Sequence, residues 1–465
     1  MQEERYIVTV DFGTSKTALS VISTTGNAMN PLFYKSVESE GVIRGNIFNP
    51  QKAAMPLKGL IEEAQKECGI QITKVVVGLP RWDVKAERIS HKLKRSDASS
   101  YISAEDIQNL KNMAVSEIEN KLDDKSTIYG ILTQSFSTED MFQVEEDDVI
   151  GATGDELEGN FLVFIGQRKY KDNIDRVINE LGIALSNYAF SPMCESKFVL
   201  TDEEKDHGVA LIEIGAAITS VSVYHKGIMR AYRAFPFGGK SITSDIHTEC
   251  SCPLQIAERI KIKLGYCMPN NLLSMENKII QIELREGESN QVSIKYLSEI
   301  IEARMKEIIN ACMFIIGESG YADKLRCGLV LSGGAVQIHC CTPFITSLTG
   351  LPCRIAYPQL LKSPADNAME GIALSAAGNR YINCAQPQDD KDSWNANGTI
   401  FNDEEIKPEI TETKSNPAPK PSPSPTPTPS NSAKPSKKKK RNIILDRVGS
   451  LFEGFYSTIG VDDNE

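Results

Sequence analysis

A short turn near the start of the chain carries the residue types that hold a phosphate group. An apolar run ends at Asp11, and a second apolar run follows Lys16. The turn between them can point several backbone N–H groups inward, which makes a concave site for an anion. Asp11 could orient the water shell of Mg²⁺, and Lys16 would add a cation. An ordinary β-hairpin would show the same pattern. The predicted phosphate contacts are Gly13, Thr14, Ser15 and Lys16.

A similar arrangement recurs in residues 208–224, where an apolar run ends near Glu213 and a turn of small residues precedes a second apolar run. Two such hairpins far apart in the chain indicate two similar half-domains that face each other across a nucleotide. Glu213 and Asp11 are the candidate catalytic acids in the phosphate region. The candidate phosphate contacts of this second turn are Gly215, Ala216 and Thr219.

Two further segments could hold the base and the sugar of a nucleotide. Residues 328–332 form an apolar run that ends at Gly333 and Gly334, where a backbone can approach a flat ring closely. Glu258 and Lys261 are three residues apart, so a helix would place them on one face, where they could bond ribose hydroxyls. The alternative for this pair is an exposed helix ion pair.

These four pieces, in this order, resemble those of the actin-like ATPase superfamily, and most closely the FtsA family of bacterial cell-division proteins. The likeness covers roughly residues 5–382. Further segments that resemble the family are 75–80, 147–160, 191–214, 235–246 and 364–371.

The resemblance implies an α/β, actin-like (ribonuclease H-like) fold of two lobes with ATP and Mg²⁺ between them. Lobe 1 is expected in residues 1–83 and 161–195, interrupted by a family-specific subdomain in 84–160. Lobe 2 is expected in 196–239 and 303–382, with a small subdomain in 240–302.

The second turn departs from the family's pattern of Asp-Xaa-Gly-Gly-Gly-Thr-Thr-Asp. Glu213 replaces the first Asp, Ala216 and Ala217 replace two glycines, and Ile218 replaces a Thr. The alanines would compromise any position that needs a positive φ or a tight approach to phosphate. Glu213 is one methylene longer than Asp and would displace a Mg²⁺-bound water. We therefore expect ATP binding with at most weak hydrolysis.

The composition changes near residue 383. Residues 383–436 have few aliphatic residues, and eight of the 22 prolines lie between Pro417 and Pro435. Such a segment cannot bury enough apolar surface to fold and is typical of a disordered tether. Residues 437–465 begin with a basic cluster and continue with apolar residues on one helical face, which suits an anionic membrane surface. Docking of this helix on a partner is the alternative. The predicted membrane contacts are Lys437, Lys438, Lys439, Lys440, Arg441, Ile444, Val448, Leu451, Phe452, Phe455 and Ile459.

The overall composition excludes some classes of protein. The net charge of −11 argues against a nucleic-acid binder, which would carry a basic face. The acidic N-terminal residues are unlike a signal peptide, and the eleven cysteines contain no CxxC pair, as expected in the cytosol.

The resemblance implies a protein that polymerises on the cytoplasmic face of the inner membrane at the septum. It would anchor the FtsZ ring through the FtsZ C-terminal tail and recruit downstream division proteins. The alternatives are an actin-fold membrane scaffold of the pilus-assembly type, and an actin-fold kinase or chaperone ATPase.

Overall fold

The computed structural model describes residues 4–26, 28–272, 275, 278–285 and 288–388. The predicted tether beyond residue 388 and the predicted membrane contacts from Lys437 to Ile459 lie outside the described residues.

The first part of the chain builds most of one five-stranded sheet. The chain enters it as a three-stranded antiparallel meander and returns after a long helix as a parallel strand. These elements are β1 (Arg5–Phe12), β2 (Lys16–Thr25), β3 (Ala28–Glu38), β4 (Val42–Ile43), β5 (Asn46–Ile47), α1 (Pro50–Cys68), β6 (Ile70–Ile72) and β7 (Lys74–Leu79).

Local sequence signals fix the ends of α1. The Asn49 side chain caps its first turn by accepting from the Lys52 N–H, and Pro50 stands at a position that needs no amide donor. Gly69 ends the helix in the left-handed conformation with φ 63°, which glycine adopts without steric cost.

A separate three-stranded antiparallel sheet with one long helix against it follows. It lies where the sequence predicts the family-specific subdomain, and it has its own apolar core around Leu110, Phe136 and Phe161. Its elements are β8 (Lys85–Lys94), α2 (Ala104–Glu119), β9 (Ser126–Ser137), α3 (Glu146–Val149) and β10 (Glu156–Gln167). The chain then returns to the first sheet through α4 (Arg168–Glu180), β11 (Ala184–Phe190) and α5 (Ser191–Val199).

The rest of the described chain builds a second five-stranded sheet and its helices. The elements are α6 (Asp202–His207), β12 (Val209–Ile214), β13 (Thr219–His225), β14 (Ile228–Phe235), α7 (Gly239–Glu249), α8 (Leu254–Leu264), β15 (Ile279–Arg285), β16 (Glu288–Ser293), α9 (Ile294–Glu318), β17 (Leu329–Ser332), α10 (Cys341–Thr349), β18 (Cys353–Ile355), α11 (Asn367–Ala377) and β19 (Ala385–Pro387). The last strand pairs with β6, so the folded body runs a few residues past the predicted boundary at 382.

The two large sheets have the same topology. The first has the order β11-β7-β1-β2-β3 and the second β14-β13-β12-β17-β18. In each, three antiparallel strands are followed by two strands that pair in parallel. A parallel return requires a long crossover, which is where the intervening helices lie. The prediction of two similar half-domains is therefore confirmed.

Helices α5 and α11 cross in close contact at Gly371. A Cβ atom at this position would lie 2.7 Å from both Cα and N of Glu195. Because the obstruction is backbone, no side-chain rotation can relieve it. The crossing therefore requires glycine, and it sets the position of Glu195, which lies at the centre of the site described below.

Gly371→Ala should lower the free energy of unfolding by about 1–3 kcal/mol, because the added methyl forces the helices apart. Gly59→Ala is the matched control, since nothing lies within 4 Å of its added Cβ in the middle of α1. That change should raise helix stability by about 0.5–1 kcal/mol. Urea unfolding of the two variants measures both effects, and equal midpoints would contradict the assigned crossing.

Candidate functional site

The two predicted phosphate turns join equivalent strands of the two sheets. The first turn lies between β1 and β2, and the second between β12 and β13. Each turn is closed by the same backbone hydrogen bond. The Gly13 N–H donates to the Lys16 carbonyl over 2.9 Å, and the Gly215 N–H donates to the Ile218 carbonyl over 2.9 Å. The similarity predicted from the sequence therefore extends to the geometry of the turns.

Each turn leaves backbone donors unpaired. Within the described part of the chain, no protein acceptor is bonded to the N–H groups of Thr14, Ser15, Ala216 and Ala217. Neighbouring free N–H groups of this kind bind anions. Neither Ala216 nor Ala217 has a positive φ, so replacing glycine carries no backbone cost at these positions. Both turns can therefore donate to a phosphate group.

Other predicted contacts of the second turn are already engaged. The Thr219 side chain is fully buried and donates to the Phe237 carbonyl over 2.9 Å. The carbonyls of Gly215 and Ala216 accept from the N–H groups of Gly239 and Lys240 at the start of α7. The phosphate contacts available on this turn are thus the backbone donors and not the Thr219 hydroxyl.

Lys240 joins the second turn to the first. Its Nζ atom donates to the Thr14 carbonyl over 3.2 Å, while its backbone N–H is bonded to the Ala216 carbonyl. The two turns are therefore brought to one place, with an ammonium group beside them. Sequence analysis did not identify Lys240, although a lysine at the first turn of a helix that follows Gly238-Gly239 is a visible signal.

The predicted cation Lys16 has a carboxylate partner from a distant part of the chain. Its Nζ atom pairs with Asp366, which precedes α11 and is buried, and also contacts the Tyr34 hydroxyl at 3.1 Å. Burial works to lower the pKa of Lys16, but the pairing with Tyr34 and Asp366 raises it. Lys16 therefore remains an ammonium group beside the first turn.

Asp11, the other predicted residue of the first turn, faces strand β7. A Cβ added at Gly78 would lie 3.1 Å from Asp11 Oδ1 and 3.6 Å from the Ser191 hydroxyl. Burial raises the pKa of Asp11, partly offset by the charges of Arg81 and Lys16. The absence of a side chain at Gly78 therefore leaves space for the Asp11 carboxylate.

The predicted acid Glu213 forms an ion pair with Arg81, which follows the end of β7. The guanidinium also lies 3.7 Å from the carboxylate of Glu195. The exposed fraction of the side chain is 13% for Arg81, 12% for Glu213 and 1% for Glu195. The Arg81 carbonyl accepts from the Tyr232 hydroxyl of β14 over 2.9 Å, which fixes its backbone. Sequence analysis missed Arg81, because a basic residue after a buried strand has no distinguishing neighbours.

Glu195 connects this ion pair to the second sheet. Its carboxylate accepts from the Ser332 hydroxyl at the end of β17, and the Asn367 side chain donates to the same hydroxyl over 3.0 Å. Burial raises the pKa of Glu195, against the opposing effect of Arg81. Helices α5 and α11 and strand β17 are thereby tied together beneath the turns.

The predicted ribose contacts lie on one face of α8 as expected, but they are not equivalent. The buried Lys261 ammonium donates to Gly239 O, Thr243 Oγ1 and Glu258 Oε2 over 3.0, 2.9 and 2.8 Å. All three of its N–H groups are therefore used. The Glu258 side chain is 42% exposed, so its carboxylate is the member of the pair that is available to a ligand.

The glycine pair after β17 serves two purposes. Gly333 has φ 93°, and a Cβ there would overlap the Ile214 backbone at the end of β12. It is therefore required by strand packing. Gly334 has open space around it, with the Ala365 side chain 3.7 Å from its added Cβ. Of the two predicted base contacts, Gly334 is the one with room for a flat ring.

Glu213, the carboxylate beside the second turn, is a poor ligand for a hydrated divalent cation. Glu213 Oε2 is taken by Arg81 and lies 3.3 Å from the Ser220 hydroxyl. Mg²⁺ requires octahedral oxygen ligands and keeps several waters. The position beside Glu213 is filled by a guanidinium, so these residues fit a fixed organic cation better than a metal ion with its water shell.

Comparison with solved structures shows the class of fold to which the chain belongs. The chain resembles a solved PilM–PilN type IV pilus biogenesis complex with a TM-score of 0.57 and 14% identity, over 81% of this chain and 99% of that chain. With its paired sheets and paired turns, it has the actin-like fold predicted from the sequence.

Sequence comparison then shows which family of proteins the chain is similar to. Residues 210–377 match the model of the cell division protein FtsA family. FtsA of Enterococcus hirae is 26% identical over 351 residues, covering 76% of this chain and 78% of that protein. FtsA of Pseudomonas aeruginosa is 24% identical over 421 residues, covering 89% and 97%. The predicted resemblance is confirmed: this actin-like chain is related to FtsA over most of its folded part.

Lys261→Met should lower the free energy of unfolding by about 1–3 kcal/mol, because it removes the three hydrogen bonds that the buried ammonium group donates, while the Glu258 carboxylate stays partly exposed to water. Lys263→Met is the matched control, since Lys263 is on the same helix and exposed. It should change stability by less than about 0.5 kcal/mol. Thermal and urea unfolding measure both variants. Equal losses would show that Lys261 is not the buried support of Glu258.

Proposed function

We propose that this chain is an ATP-binding, actin-like cell division protein that polymerises on the inner face of the cytoplasmic membrane and anchors the FtsZ ring. The single observation that supports nucleotide binding is the meeting of two equivalent turns, each with free backbone N–H groups. Lys240 links these turns and Lys16 stands beside them. Anionic phosphates are favoured at such donors.

In this proposal the triphosphate lies between the turns, with Thr14, Ser15, Ala216 and Ala217 donating from the backbone. Glu258 accepts from the ribose, and the base lies against Gly334. Lys16 exchanges part of its pairing with Asp366 for a phosphate oxygen. None of the described residues is assigned to position an attacking water, so we propose at most weak ATP hydrolysis.

We further propose the predicted division of the chain. Residues 84–160 and 240–302 would be the inserted subdomains of lobes 1 and 2. Support for the first comes from its separate sheet and apolar core. Filament contacts between copies and the surface that binds the FtsZ C-terminal tail, proposed near residues 240–302, rest on the relationship to FtsA.

The membrane attachment rests on the sequence beyond the described residues. Among the described helices, none is both long enough and apolar enough to cross a bilayer. We propose that residues 437–465 lie on the anionic membrane surface as an amphipathic helix. Each basic residue near such a surface contributes about 1 kcal/mol, and many tails in one filament would act by avidity. This would place the protein at the septal membrane with its division partners.

Lys16→Met should weaken ATP binding at least tenfold, because it removes the ammonium group beside the first turn. Lys35→Met is the matched control, since Lys35 is exposed and its ion-pair partner, Glu63, lies on α1. Titration with a fluorescent ATP analogue in a Mg²⁺-containing buffer gives both affinities. Unchanged affinity in the Lys16 variant would refute the assignment of the pocket.

Co-sedimentation with anionic liposomes tests the cellular role. FtsZ should pellet when the full-length chain and ATP are present, and remain in solution without the chain. Phe455→Glu should abolish pelleting of both proteins, whereas Ser450→Glu, which adds the same charge off the apolar face, should reduce it much less. If this chain pellets and FtsZ does not, it is an actin-fold membrane scaffold for another assembly.

A further inference from the structure

Arg81 lies among three acidic side chains of the proposed phosphate site. It forms an ion pair with Glu213 and lies 3.7 Å from Glu195. Its charge also acts on Asp11. These acids come from strand β1 of the first sheet, helix α5 and strand β12 of the second sheet, so the charge of the guanidinium acts on carboxylates of three separate elements.

The position of Arg81 is fixed by contacts outside the charge cluster. Its carbonyl is bonded to the Tyr232 hydroxyl, and the Tyr232 ring packs edge-on against Phe164 and Phe190. Three aromatic rings therefore support the backbone from which the guanidinium extends. The backbone of Arg81 is therefore held in a defined position, unlike that of a mobile residue on the surface.

A divalent cation at this place would have to displace the guanidinium. Glu213, the acid just before the second turn, already forms an ion pair with Arg81. Moving Arg81 away would leave the largely buried carboxylates of Glu213 and Glu195 without their positively charged partner. Breaking a buried pair in this way is strongly unfavourable.

The guanidinium has donors left for a ligand. The ion pairs are made by Nη1, which has no hydrogen-bond acceptor, and among the described residues no protein acceptor is hydrogen-bonded to Nε or Nη2 either. Arginine is permanently charged and presents five N–H groups in a planar fork that matches phosphate oxygens. Arg81 therefore keeps N–H groups that could bond a phosphate while its charge is paired with the acids.

We propose that Arg81 takes the place of the divalent cation at this site, so that the chain binds the triphosphate of its nucleotide without Mg²⁺. The inference rests on the proposed ATP binding, and it assigns to a side chain the charge neutralisation that a metal ion would otherwise provide. Lys16 supplies the second positive charge at the first turn.

The first test measures ATP affinity of the full-length chain in excess Mg²⁺ and in excess EDTA, by calorimetric titration. The two dissociation constants should agree within about twofold, on the expectation that most of the phosphate charge is met by the protein itself. Binding that weakens tenfold or more in EDTA overturns the inference and leaves the proposed function standing. Absence of binding in both buffers overturns the proposed function as well.

The second test changes the cation itself. Arg81→Gln combined with Glu213→Asp removes the guanidinium and leaves a shorter carboxylate. ATP binding of this double variant should fall at least tenfold in EDTA and recover at least partly in Mg²⁺. Arg326→Gln, at an exposed arginine of the second lobe, is the control and should behave as the unaltered chain in both buffers.

A third variant separates the role of Arg81 from a loss of folding. Glu213→Gln keeps the guanidinium and removes the acid with which it pairs, so its ATP affinity should be retained or increased and stay independent of Mg²⁺. Thermal unfolding of each variant shows whether it is folded. If the double variant is folded and binds ATP in EDTA as well as the unaltered chain does, Arg81 is not the cation of the site.

Discussion

The arrangement of the site depends on the close crossing of α5 and α11 at Gly371. This contact brings Glu195 to the end of β17, where it bonds Ser332 and lies near Arg81. Arg81 in turn pairs with Glu213 on the other sheet. A steric requirement for one missing methyl group therefore determines where three charged side chains meet.

The local pieces of the site were readable from the sequence because each is set by short-range chemistry. A hairpin turn needs small residues beside two apolar strands, so both turns could be located from their composition. Glu258 and Lys261 share a helical face because of the helical period. The equivalence of the two sheets followed from the repeat of one hairpin pattern in two halves of the chain.

The pairing of charges was not readable from the sequence. Lys16 and Asp366 are separated by 350 positions, and Arg81 follows a strand of the first sheet whereas Glu213 lies on a strand of the second. The residues next to Lys16 and Arg81 in the sequence do not distinguish them from lysines and arginines that are exposed to solvent. The saturated bonding of Lys261 was hidden for the same reason, since two of its acceptors belong to α7. These contacts depend on how elements that are distant in the chain pack together, and they leave no periodic pattern in the sequence.

The place of Arg81 in the chain has a mechanical consequence. Arg81 lies between β7 of the first sheet, which ends at Leu79, and β8 of the three-stranded sheet, which begins at Lys85. Its carbonyl is at the same time held by Tyr232 of β14. Arg81 therefore connects the acids Glu213 and Glu195, through its side chain, with β14 and the start of β8, through its backbone. Any displacement of the three-stranded sheet that moved the start of β8 would therefore act on the Arg81–Glu213 ion pair through only a few residues of chain.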